Sequence, residues 1–543
     1  MSSLTLELAT PVNLTVVRAT VREAFSTPFV VSMVVLSPDP SLPLSSIVGQ
    51  PAKLHVVAGI AFSLGMGSRT WSGIVRHAEQ VKAVHPTGGE KSVSTYLIEL
   101  VPRFWLLSQR RNYRIFQHIS IPDIADKLLG EWQVPPTWRI DKSIYPKLEY
   151  KVQYGESDHQ VLCRLLEEAG IVHFFEGEGT SSTQLILADR PESNTSRPGP
   201  ALHFVDNPNQ AAEMEFVTAV QWGRVVKPGA RTLRDFDFRN PARALFEQAD
   251  PVAGIEGKLE QYEYDPAAFL AETGKPGDTP VADDKGFARV DPAYGKKKAE
   301  RDLAAMRVGA RHLTFETNAY DLCPGSVFSI QGHPHEAVPS TRKWLVTSTS
   351  LSMSLQGEWN MRVLAVPADA PYKPPLITPK PVVHGFQSAT VVGPKGQEIH
   401  TDEFGRVRVE FPWDRESKHD DSASCWVRVH EPWGGLGYGR ISLPRIGQEV
   451  LVTFLEGDPD EPVIMGRAYN AVQQVPYKLP THKTRSTWKS DSSMGSGGFN
   501  EIMFEDLKGQ ELVWEQAQKD RVRLVKNDEF ITVVHDRQIT VKK

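Results

Sequence analysis

The sequence predicts a mainly β protein with several domains. Short segments alternate apolar and polar side chains and end at Gly, Pro, Asn or Asp, as in RVRVEF (406–411) and EVLVTFL (449–455). A period of two is typical of strands that bury one face. The chain has 543 residues, which is several times the usual size of one domain. We therefore expect about three or four domains, each with a buried core.

Two segments carry a helical pattern instead. In SDHQVLCRLLEEAG (157–170), Ser157 suits the N-cap, Gln160 completes a capping box and Gly170 suits the C-terminal cap. The apolar residues of this segment recur at helical spacing and line one face: Val161, Leu162, Leu165, Leu166 and Ala169. We therefore expect a helix near 157–169. A second helix is expected near 294–308, in YGKKKAERDLAAMRV.

Charge and cysteine content argue against several classes of protein. Lys and Arg number 61 against 66 Asp and Glu, which gives a formal net charge of −5. This balance lacks the basic excess of nucleic-acid binders, so no nucleic-acid partner is expected. The three cysteines are Cys163, Cys323 and Cys425, and none belongs to a CxxC pair. Neither a disulfide framework nor a zinc site is indicated, and we expect folding in a reducing cytoplasm.

The N-terminal segment MSSLTLELATPVNLTVV (1–17) lacks the basic residues and the unbroken apolar run of a secretory signal. No window of the sequence approaches the roughly 18 uninterrupted apolar residues that a spanning helix needs. We therefore expect a cytoplasmic protein without a signal peptide, which meets a membrane only as part of a larger assembly.

Composition shifts predict the domain boundaries. Residues 367–381 contain six prolines in fifteen positions, a run that favours stiff, extended backbone and cannot form a continuous ladder. A second stretch, before the tail, mixes Pro with Gly and Ser. The predicted organisation is an N-terminal region at 1–366, a linker at 367–381, a barrel at 382–470, a connecting loop at 471–500 and a repetitive tail at 501–543.

The tail holds an internal repeat with a period of eight. Its blocks are DRVRLVKN, DEFITVVH and DRQITVKK, which repeat Asp at 520, 528 and 536. Val525, Val533 and Val541 recur in step, as do Ile531 and Ile539. One such strand has no way to bury its apolar side, so stacked turns or partner chains must cover it. A β-helical prism, in one chain or wound from several, is favoured over an ordinary meander.

An acidic cluster raises the question of a carboxylate site. Four acids fall within six positions of FLEGDPDEPVIMG (454–466): Glu456, Asp458, Asp460 and Glu461. A calcium loop needs Gly at its sixth position and Glu at its twelfth, whereas counting from Glu456 gives Glu461 and Arg467. Apolar strand-like runs flank the cluster, so we interpret it as a hairpin turn rather than a metal or proton-transfer site.

Other motifs are better explained by structure than by chemistry. His333 and His335 in QGHPHE have a spacing suited to two metal ligands, but a third ligand is lacking, so a turn is favoured. Four aromatic residues form either a stacking platform for nucleic acid or sugar or packing contacts in the core and between subunits, of which packing is favoured: Trp413, Trp426, Trp433 and Tyr438. No GxSxG or phosphate-loop motif occurs. We predict no catalytic, cofactor-binding or metal-binding residues and no enzyme activity.

Six segments of the sequence, taken in chain order, resemble segments of one protein family. The block from TDEFGRVRVEFPWD to GRAYN (401–470) includes SCWVRV and PRIGQEVLVTFLEGDPDEPVIMG. It closely resembles the oligonucleotide/oligosaccharide-binding (OB) barrel of the VgrG family, the spike proteins of type VI secretion systems. Five further segments resemble that family in the same order: RRNYRIFQHISIPDI (110–124), YKVQYGESDHQVLCRLLEEAGIVHFFE (150–176), LEQYEYDP (259–266), LCPGSVFSIQGHP (322–334) and GFNEIMFEDLKGQELVWEQAQKD (498–520).

The resemblance implies a trimeric spike, homologous to the hub and needle of contractile-phage tails. Residues 1–366 would form β-barrel subdomains like those of a phage baseplate hub, with the two predicted helices. The OB-fold barrel would be a neck, and 501–543 would begin an intertwined triple-stranded β-helix in a homotrimer. Within that needle the apolar octad residues would face the threefold axis: Val525, Ile531, Val533, Ile539 and Val541.

The resemblance also implies partners and a mechanical function. The hub would sit on the Hcp tube, a PAAR-type protein would sharpen the tip, and baseplate proteins, effector proteins and adaptor chaperones would contact the spike. Sheath contraction would drive the needle out of the cell and through a target envelope, which is then the only membrane it meets. No cofactor is implied.

Two alternatives stay open at this point. One is the hub or needle protein of a contractile phage tail or phage-like particle, which shares the same physical design. The other is a glycan- or peptidoglycan-binding tail protein, for which binding to sacculi that depends on Asp458 and Asp460 would be the deciding observation.

Overall fold

The computed structural model describes residues 3–57, 68–84, 93–177, 182–207, 214–272, 288–355 and 359–542. Strands dominate these ranges, which confirms the mainly β prediction. The described α-helices are α1 (Ile121–Glu131), α2 (Asp158–Ala169) and α3 (Pro292–Arg307). In the same ranges no helix is long and apolar enough to cross a membrane.

The first six strands form one half of a twelve-stranded sheet, in the antiparallel order β1-β4-β5-β6-β3-β2. On β3 the residues Val31, Met33 and Val35 are fully buried while their neighbours are partly exposed, as the period of two requires. The strands are β1 (Ser3–Leu8), β2 (Thr15–Ala24), β3 (Thr27–Ser37), β4 (Pro51–Val57), β5 (Ser68–Lys82) and β6 (Ser94–Val101).

The next part of the chain packs α1 and α2 against two small sheets. Strand β9 pairs antiparallel with β7, and β11 lies between β10 and β8. Helix α1 was not predicted from the sequence, although Ser120 caps it by accepting the Asp123 N–H and its apolar face is buried. The strands are β7 (Arg111–Ser120), β8 (Pro136–Arg139), β9 (Lys147–Ser157), β10 (Val172–Glu176) and β11 (Gln184–Ala188).

Both predicted helices are present. The Ser157 side chain accepts the Gln160 N–H at 3.1 Å, and the Gln160 side chain accepts the Ser157 N–H at 2.9 Å, so the capping box of α2 is confirmed. Gly170 ends α2 with φ at 71°, a left-handed conformation that favours glycine. Helix α3 begins two residues before the predicted position, where the Asp291 side chain accepts the Ala293 N–H.

The remaining half of the large sheet closes on itself. Its order is β21-β20-β12-β13-β19-β22, and β22 also pairs with β21. Strand β2 pairs with β21 and so joins the two halves, and one apolar core containing Trp71 and Trp344 runs through both. The strands of this half are β12 (Leu202–Phe204), β13 (Phe216–Arg224), β19 (Arg311–Thr317), β20 (Val327–Gln331), β21 (Lys343–Ser354) and β22 (Asn360–Pro367). Between β13 and β19 the chain forms a separate sheet of β14 (Ala230–Asp235), β15 (Leu245–Gln248) and β16 (Glu260–Tyr264), and it adds β17 (Leu270–Glu272) and β18 (Ala288–Val290) to the sheet of β7 and β9.

A separate five-stranded barrel follows, in the order β24-β23-β28-β29-β25. A bridge between Val407 and Val427 joins the two outer strands and closes the barrel, which confirms the predicted OB-type fold. It has its own core, around Val391, Val409 and Val450. The strands of this region are β23 (Gln387–Val392), β24 (Arg408–Glu410), β25 (Arg428–Val429), β26 (Gly434–Gly435), β27 (Tyr438–Gly439), β28 (Glu449–Phe454) and β29 (Pro462–Ala468).

The tail begins with an antiparallel meander of β30 (Arg485–Lys489), β31 (Glu501–Glu505) and β32 (Leu512–Gln516). Strand β30 lies inside the stretch 471–500 that was expected to be a loop, so that expectation is wrong for these residues. The Arg485 side chain of β30 donates to Glu505 of β31 at 2.9 Å. The sequence of β30 does not alternate apolar and polar residues, so it does not predict a strand. Beyond β32, residues 517–542 form no helix or strand in the single chain.

We predict that Gly170→Ala lowers the free energy of unfolding by about 2 kcal/mol, because a left-handed backbone costs a side chain about 1–2 kcal/mol and the new Cβ would lie 2.5 Å from Cδ of Arg301. Gly309→Ala is the matched control, since Gly309 has φ at 75° and open space around its Cβ position. Urea unfolding measures both variants, and equal losses would contradict the contribution of the Arg301 contact.

Candidate functional site: the barrel junction and the uncovered tail

The acidic cluster forms the hairpin turn between β28 and β29. The Leu455 N–H donates to the Glu461 carbonyl at 3.0 Å, and the Asp458 N–H donates to the Leu455 carbonyl at 2.9 Å. Glu456 and Gly457 adopt positive φ values of 52° and 74°, which the tight reversal requires. The prediction of a turn is therefore confirmed.

The turn is not simply solvated, because Asp460 joins the barrel to the hub region. Its carboxylate accepts hydrogen bonds from Nζ of Lys151 at 3.0 Å and from the backbone N–H of Val152 at 2.8 Å, both on β9. Nζ of Lys380 lies 2.8 Å from the same carboxylate. The Asp460 side chain is only 6% exposed. We name this set of contacts, centred on Asp460, the barrel junction.

A second acid of the turn, Asp458, and helix α2 extend the barrel junction. Lys380, from the proline-rich segment, donates to Asp458 at 2.5 Å. Lys151 lies 3.4 Å from Glu168 on α2, and Arg164 lies 3.4 Å from the same carboxylate. The ammonium and guanidinium groups therefore alternate with carboxylates from the barrel to α2. This arrangement engages the acids as ion-pair partners.

The electrostatics keep these groups ionised. Burial alone would raise the pKa of Asp460, but the ammonium groups of Lys151 and Lys380 hold this pKa well below its usual range. Burial likewise opposes ionisation of Glu168, yet Lys151 and Arg164 lower its pKa to about 2. Asp460 and Glu168 of the barrel junction are therefore charged at neutral pH. Their hydrogen bonds with the lysine and arginine side chains are charge-assisted and hence strong.

Glu461 behaves in the opposite way. Burial raises its pKa well above the usual value, and the negative charges of Asp458 and Asp460 raise it further. It lines a cavity of 880 Å³ that lies between the hub region and the barrel. Tyr150 and Lys298 line the same cavity. Burial and the charge of Asp460 also raise the pKa of Asp458, so the charged form is disfavoured at both Asp458 and Glu461.

The remaining sequence candidates are divided between core and surface. The Trp413 ring stacks on Phe411 at 4.9 Å, and the Arg408 guanidinium lies over Trp426 at 4.7 Å, so both tryptophans pack within the barrel. Trp433 and Tyr438 instead lie on the exposed hairpin β26–β27, and each is about two thirds exposed. Packing within the barrel is thus found for Trp413 and Trp426, whereas packing of Trp433 and Tyr438 between subunits stays a prediction.

The two histidines of QGHPHE occupy the connection between β20 and β21. Nδ1 of His333 accepts the His335 N–H, and Nδ1 of His335 accepts the Ala337 N–H. Both nitrogens are thus used to hold the turn, as the sequence interpretation proposed.

The octad residues all lie at the surface of the single chain. Their exposed fractions range from 42% for Val525 to 88% for Val541, and other apolar residues nearby, including Phe530 and Val534, are more exposed still. The remaining members of the predicted needle set are equally uncovered: Ile531, Val533 and Ile539. Their position at a threefold axis stays a prediction. Lys543, which ends the third octad, lies outside the described residues.

The sequence analysis missed one group of side chains. His159 and Cys163 on α2 and His173 on β10 place their nitrogen and sulfur atoms within 4.8 Å of one another. The available signal was the spacing of His and Cys by four residues within a predicted helix, which puts both on one face. No CxxC pair marks this group of residues, because it contains a single cysteine.

A hub region with a twelve-stranded sheet, an OB barrel held by buried ion pairs and a tail with exposed apolar side chains are the parts of a hub-and-spike protein of contractile injection machines. Three family models match in the same order. Residues 22–357 match the phage tail baseplate hub (GPD), 389–469 match the type VI secretion system/phage-baseplate injector OB domain, and 486–543 match the bacteriophage T4 gp5 C-terminal trimerisation domain.

Curated relatives narrow the class. The type VI secretion system spike proteins VgrG1b and VgrG4b of Pseudomonas aeruginosa are 33% and 36% identical over 96% of this chain, which spans 67% and 62% of their lengths. The actin cross-linking toxin VgrG1 of Vibrio cholerae is 34% identical over 82% of the chain, which spans 40% of that protein. The chain belongs to the VgrG family of type VI secretion system spike proteins.

Solved structures show the same fold at low identity. An Escherichia coli protein, described as a component of the type VI secretion system similar to the T4 tail proteins gp27 and gp5, aligns with a TM-score of 0.58 at 20% identity. The alignment covers 86% of this chain and all of that one. The Francisella PdpA–VgrG complex in its half-lidded form aligns with a TM-score of 0.55 at 8% identity, over 95% of this chain and 88% of that one.

We predict that Asp460→Asn destabilises the protein by about 3 kcal/mol, because removing one partner of a buried ion pair leaves the other without compensation. Glu461→Gln is the matched control on the same turn and removes a charge that the site disfavours, so at pH 8 its stability should equal or exceed that of the parent chain. Urea unfolding at pH 8 compares them. Equal losses in the two variants would contradict the barrel junction as described.

We further predict a loss of stability in acid. The folded pKa of Glu168, about 2, lies below its unfolded value of about 4.3, so the native state binds fewer protons in this range. The contribution is complete above about pH 4.3 and is lost as the pH falls toward 2, by about 3 kcal/mol in total. Urea midpoints at pH 6 and pH 3 measure the loss, and Glu168→Gln should show less of it. The same pH dependence in that variant would contradict the assignment.

Proposed function

We propose that this chain is a structural subunit of a type VI secretion spike and works as a homotrimer. The observation that carries the proposal is the tail. Residues 486–543 match a trimerisation domain, and residues 517–542 have no secondary structure and no buried side chain in the single chain. A segment of this kind gains order only when other chains cover it.

The meander that precedes the tail supports the same conclusion. Trp488, Ile502 and Phe504 are exposed on one face, while Met503 and the flanking residues of β31 face the other side and are buried. Val513 lies opposite Phe504 on β32 and extends the exposed face. A contiguous apolar surface of this kind marks an interaction site, and a threefold arrangement buries it without leaving a free sheet edge.

We infer that the work of the residues described here is mechanical rather than enzymatic. Both carboxylates of the turn that were candidates for chemistry, Asp458 and Asp460, are held by lysine ammonium groups. The barrel junction instead fixes the neck on the hub, as a needle pushed from behind requires. One relative is named as an actin cross-linking toxin, and one similar structure is a complex of a VgrG protein with PdpA.

The proposed partners follow from this position in the machine. The hub barrels would rest on the Hcp tube and contact baseplate proteins, and the needle would carry a PAAR-type tip protein. Effectors, with adaptor chaperones where needed, would be carried on the assembly. The protein would be assembled in the cytoplasm and leave the cell through the type VI machine, driven by sheath contraction.

Trimer formation is tested with the full chain by sedimentation equilibrium. The parent chain should sediment as a trimer, and the double variant Ile531→Asp, Val533→Asp should dissociate, because each apolar side chain left in water forfeits about 2 kcal/mol. Thr532→Asp is the matched control, since Thr532 lies between them on the opposite side of an extended chain. In the single chain all three side chains are exposed, so a monomeric protein would tolerate every one of these changes.

A parent chain that stays monomeric at micromolar concentration would overturn the proposed assembly. Function is tested in a bacterium whose own copy of the gene is deleted. The parent chain should restore release of Hcp into the medium and killing of competitor cells, and the tail double variant should restore neither. If the parent chain and the tail double variant restored Hcp release and killing equally, secretion would not require the trimer.

A further inference from the structure

The group formed by His159, Cys163 and His173 has a local origin in the fold. His159 and Cys163 are one turn apart on α2, so they share a face. The left-handed cap at Gly170 reverses the chain, and β10 brings His173 against that face. Helix α2 and strand β10 thus bring together three side chains of the types that commonly bind metal ions.

The spacing of the ligand atoms suits a single cation. Sγ of Cys163 lies 3.6 Å from Nε2 and 3.8 Å from Nδ1 of His159. A tetrahedral centre with ordinary zinc bond lengths separates sulfur and nitrogen ligands by about 3.5 Å. All three ligand atoms lie within 4.8 Å of one another. A turn of the half-buried His159 ring about χ2 aims one nitrogen at the shared position.

One ligand has no other partner. Nε2 of His173 is buried and makes no hydrogen bond, in a residue that is 1% exposed. The Phe104 ring contacts both imidazoles, at 4.9 Å from His173 and 5.2 Å from His159, and supplies no acceptor. Buried polar atoms are normally paired because leaving one unpaired costs about 1–3 kcal/mol. The orphaned nitrogen belongs to one of the three residues whose ligand atoms lie within 4.8 Å of one another.

We propose that His159, Cys163 and His173 form a binding site for a thiophilic d¹⁰ cation, Zn²⁺ or Cu⁺. Imidazole and thiolate together suit both ions. Solvent reaches the site on the side of His159 and supplies a fourth ligand where the ion requires one. The site lies within the hub region and is independent of the proposed secretion function.

The two imidazoles are in the protonation state that metal binding needs at neutral pH, whereas the thiol must lose its proton. Burial lowers the pKa of His159 to about 4 and that of His173 to about 3, so both imidazoles are neutral and their lone pairs are available. Burial raises the pKa of the Cys163 thiol, and Glu167 raises it further. The cation therefore displaces the thiol proton, and one proton is released to solvent for each ion bound.

The consequence concerns the helix that serves the barrel junction. Arg164 and Glu168 of α2 take part in that junction, while His159 and Cys163 point toward β10. A bound ion fixes the same helix to the hub from its other side. The inference is that the cation stabilises the platform on which the neck is seated.

The experiment uses the full chain, stripped of metal and then titrated separately with Zn²⁺, with Co²⁺ as a spectroscopic substitute, and with Cu⁺ under reducing conditions. We expect one equivalent of Zn²⁺ or Cu⁺ per chain, a higher melting temperature on binding, and a thiolate-to-cobalt charge-transfer band. Cys163→Ser should lose the band and at least tenfold in affinity. Cys323→Ser is the matched control, because Cys323 is a free cysteine of the same region outside this group, and it should bind as the parent does.

His159→Gln provides a second test if Cys163→Ser does not fold, since His159 is partly exposed and its replacement leaves the core intact. This variant should also lose at least tenfold in affinity while keeping the parent's circular dichroism spectrum. A folded parent chain that binds neither Zn²⁺ nor Cu⁺ would overturn the proposal. So would binding that survives both substitutions, because the ion would then lie elsewhere.

Discussion

The position of the neck barrel on the hub depends on one buried carboxylate. Asp460 is removed from water, which by itself is strongly unfavourable, and the backbone N–H of Val152 with the ammonium groups of Lys151 and Lys380 offsets that cost. These donors come from β9 and from the proline-rich segment. The interaction is formed only when hub, segment and barrel are all in place, so it specifies their arrangement as well as stabilising it.

Around this joint the molecule has two kinds of surface. The hub region and the OB barrel bury separate cores, and pairing of β21 with β22 and of Val407 with Val427 closes two of their sheets. The tail does the reverse, because its meander and octads leave large apolar side chains in solvent. The hub region and the barrel therefore bury their apolar side chains within a single chain, whereas the tail does so only in the proposed trimer.

The sequence predicted the parts of this structure that depend on local order. The alternation in EVLVTFL specifies β28 (Glu449–Phe454), and the Ser157 capping box specifies α2, because both signals involve residues a few positions apart. It did not predict that Asp460 connects the barrel to the hub region, since its partner Lys151 is 309 positions away in the sequence. The turn was recognised from Gly and Pro, but its partners lie in another domain. The ligand group at His173 was missed for the same reason, as only the fold brings β10 onto α2.

The proline-rich segment between the hub and the barrel has a further consequence. Tyr372 is buried with its ring 5.0 Å from Phe25, Glu167 accepts the N–H groups of Ile377 and Thr378 at 2.9 Å each, and the Val383 N–H donates to the Gly457 carbonyl at 2.8 Å. The segment is thus fastened along its length and does not act as a tether. The barrel is therefore held to the hub by contacts distributed along the segment, which include Glu167 of α2, so its position does not depend on the covalent connection alone.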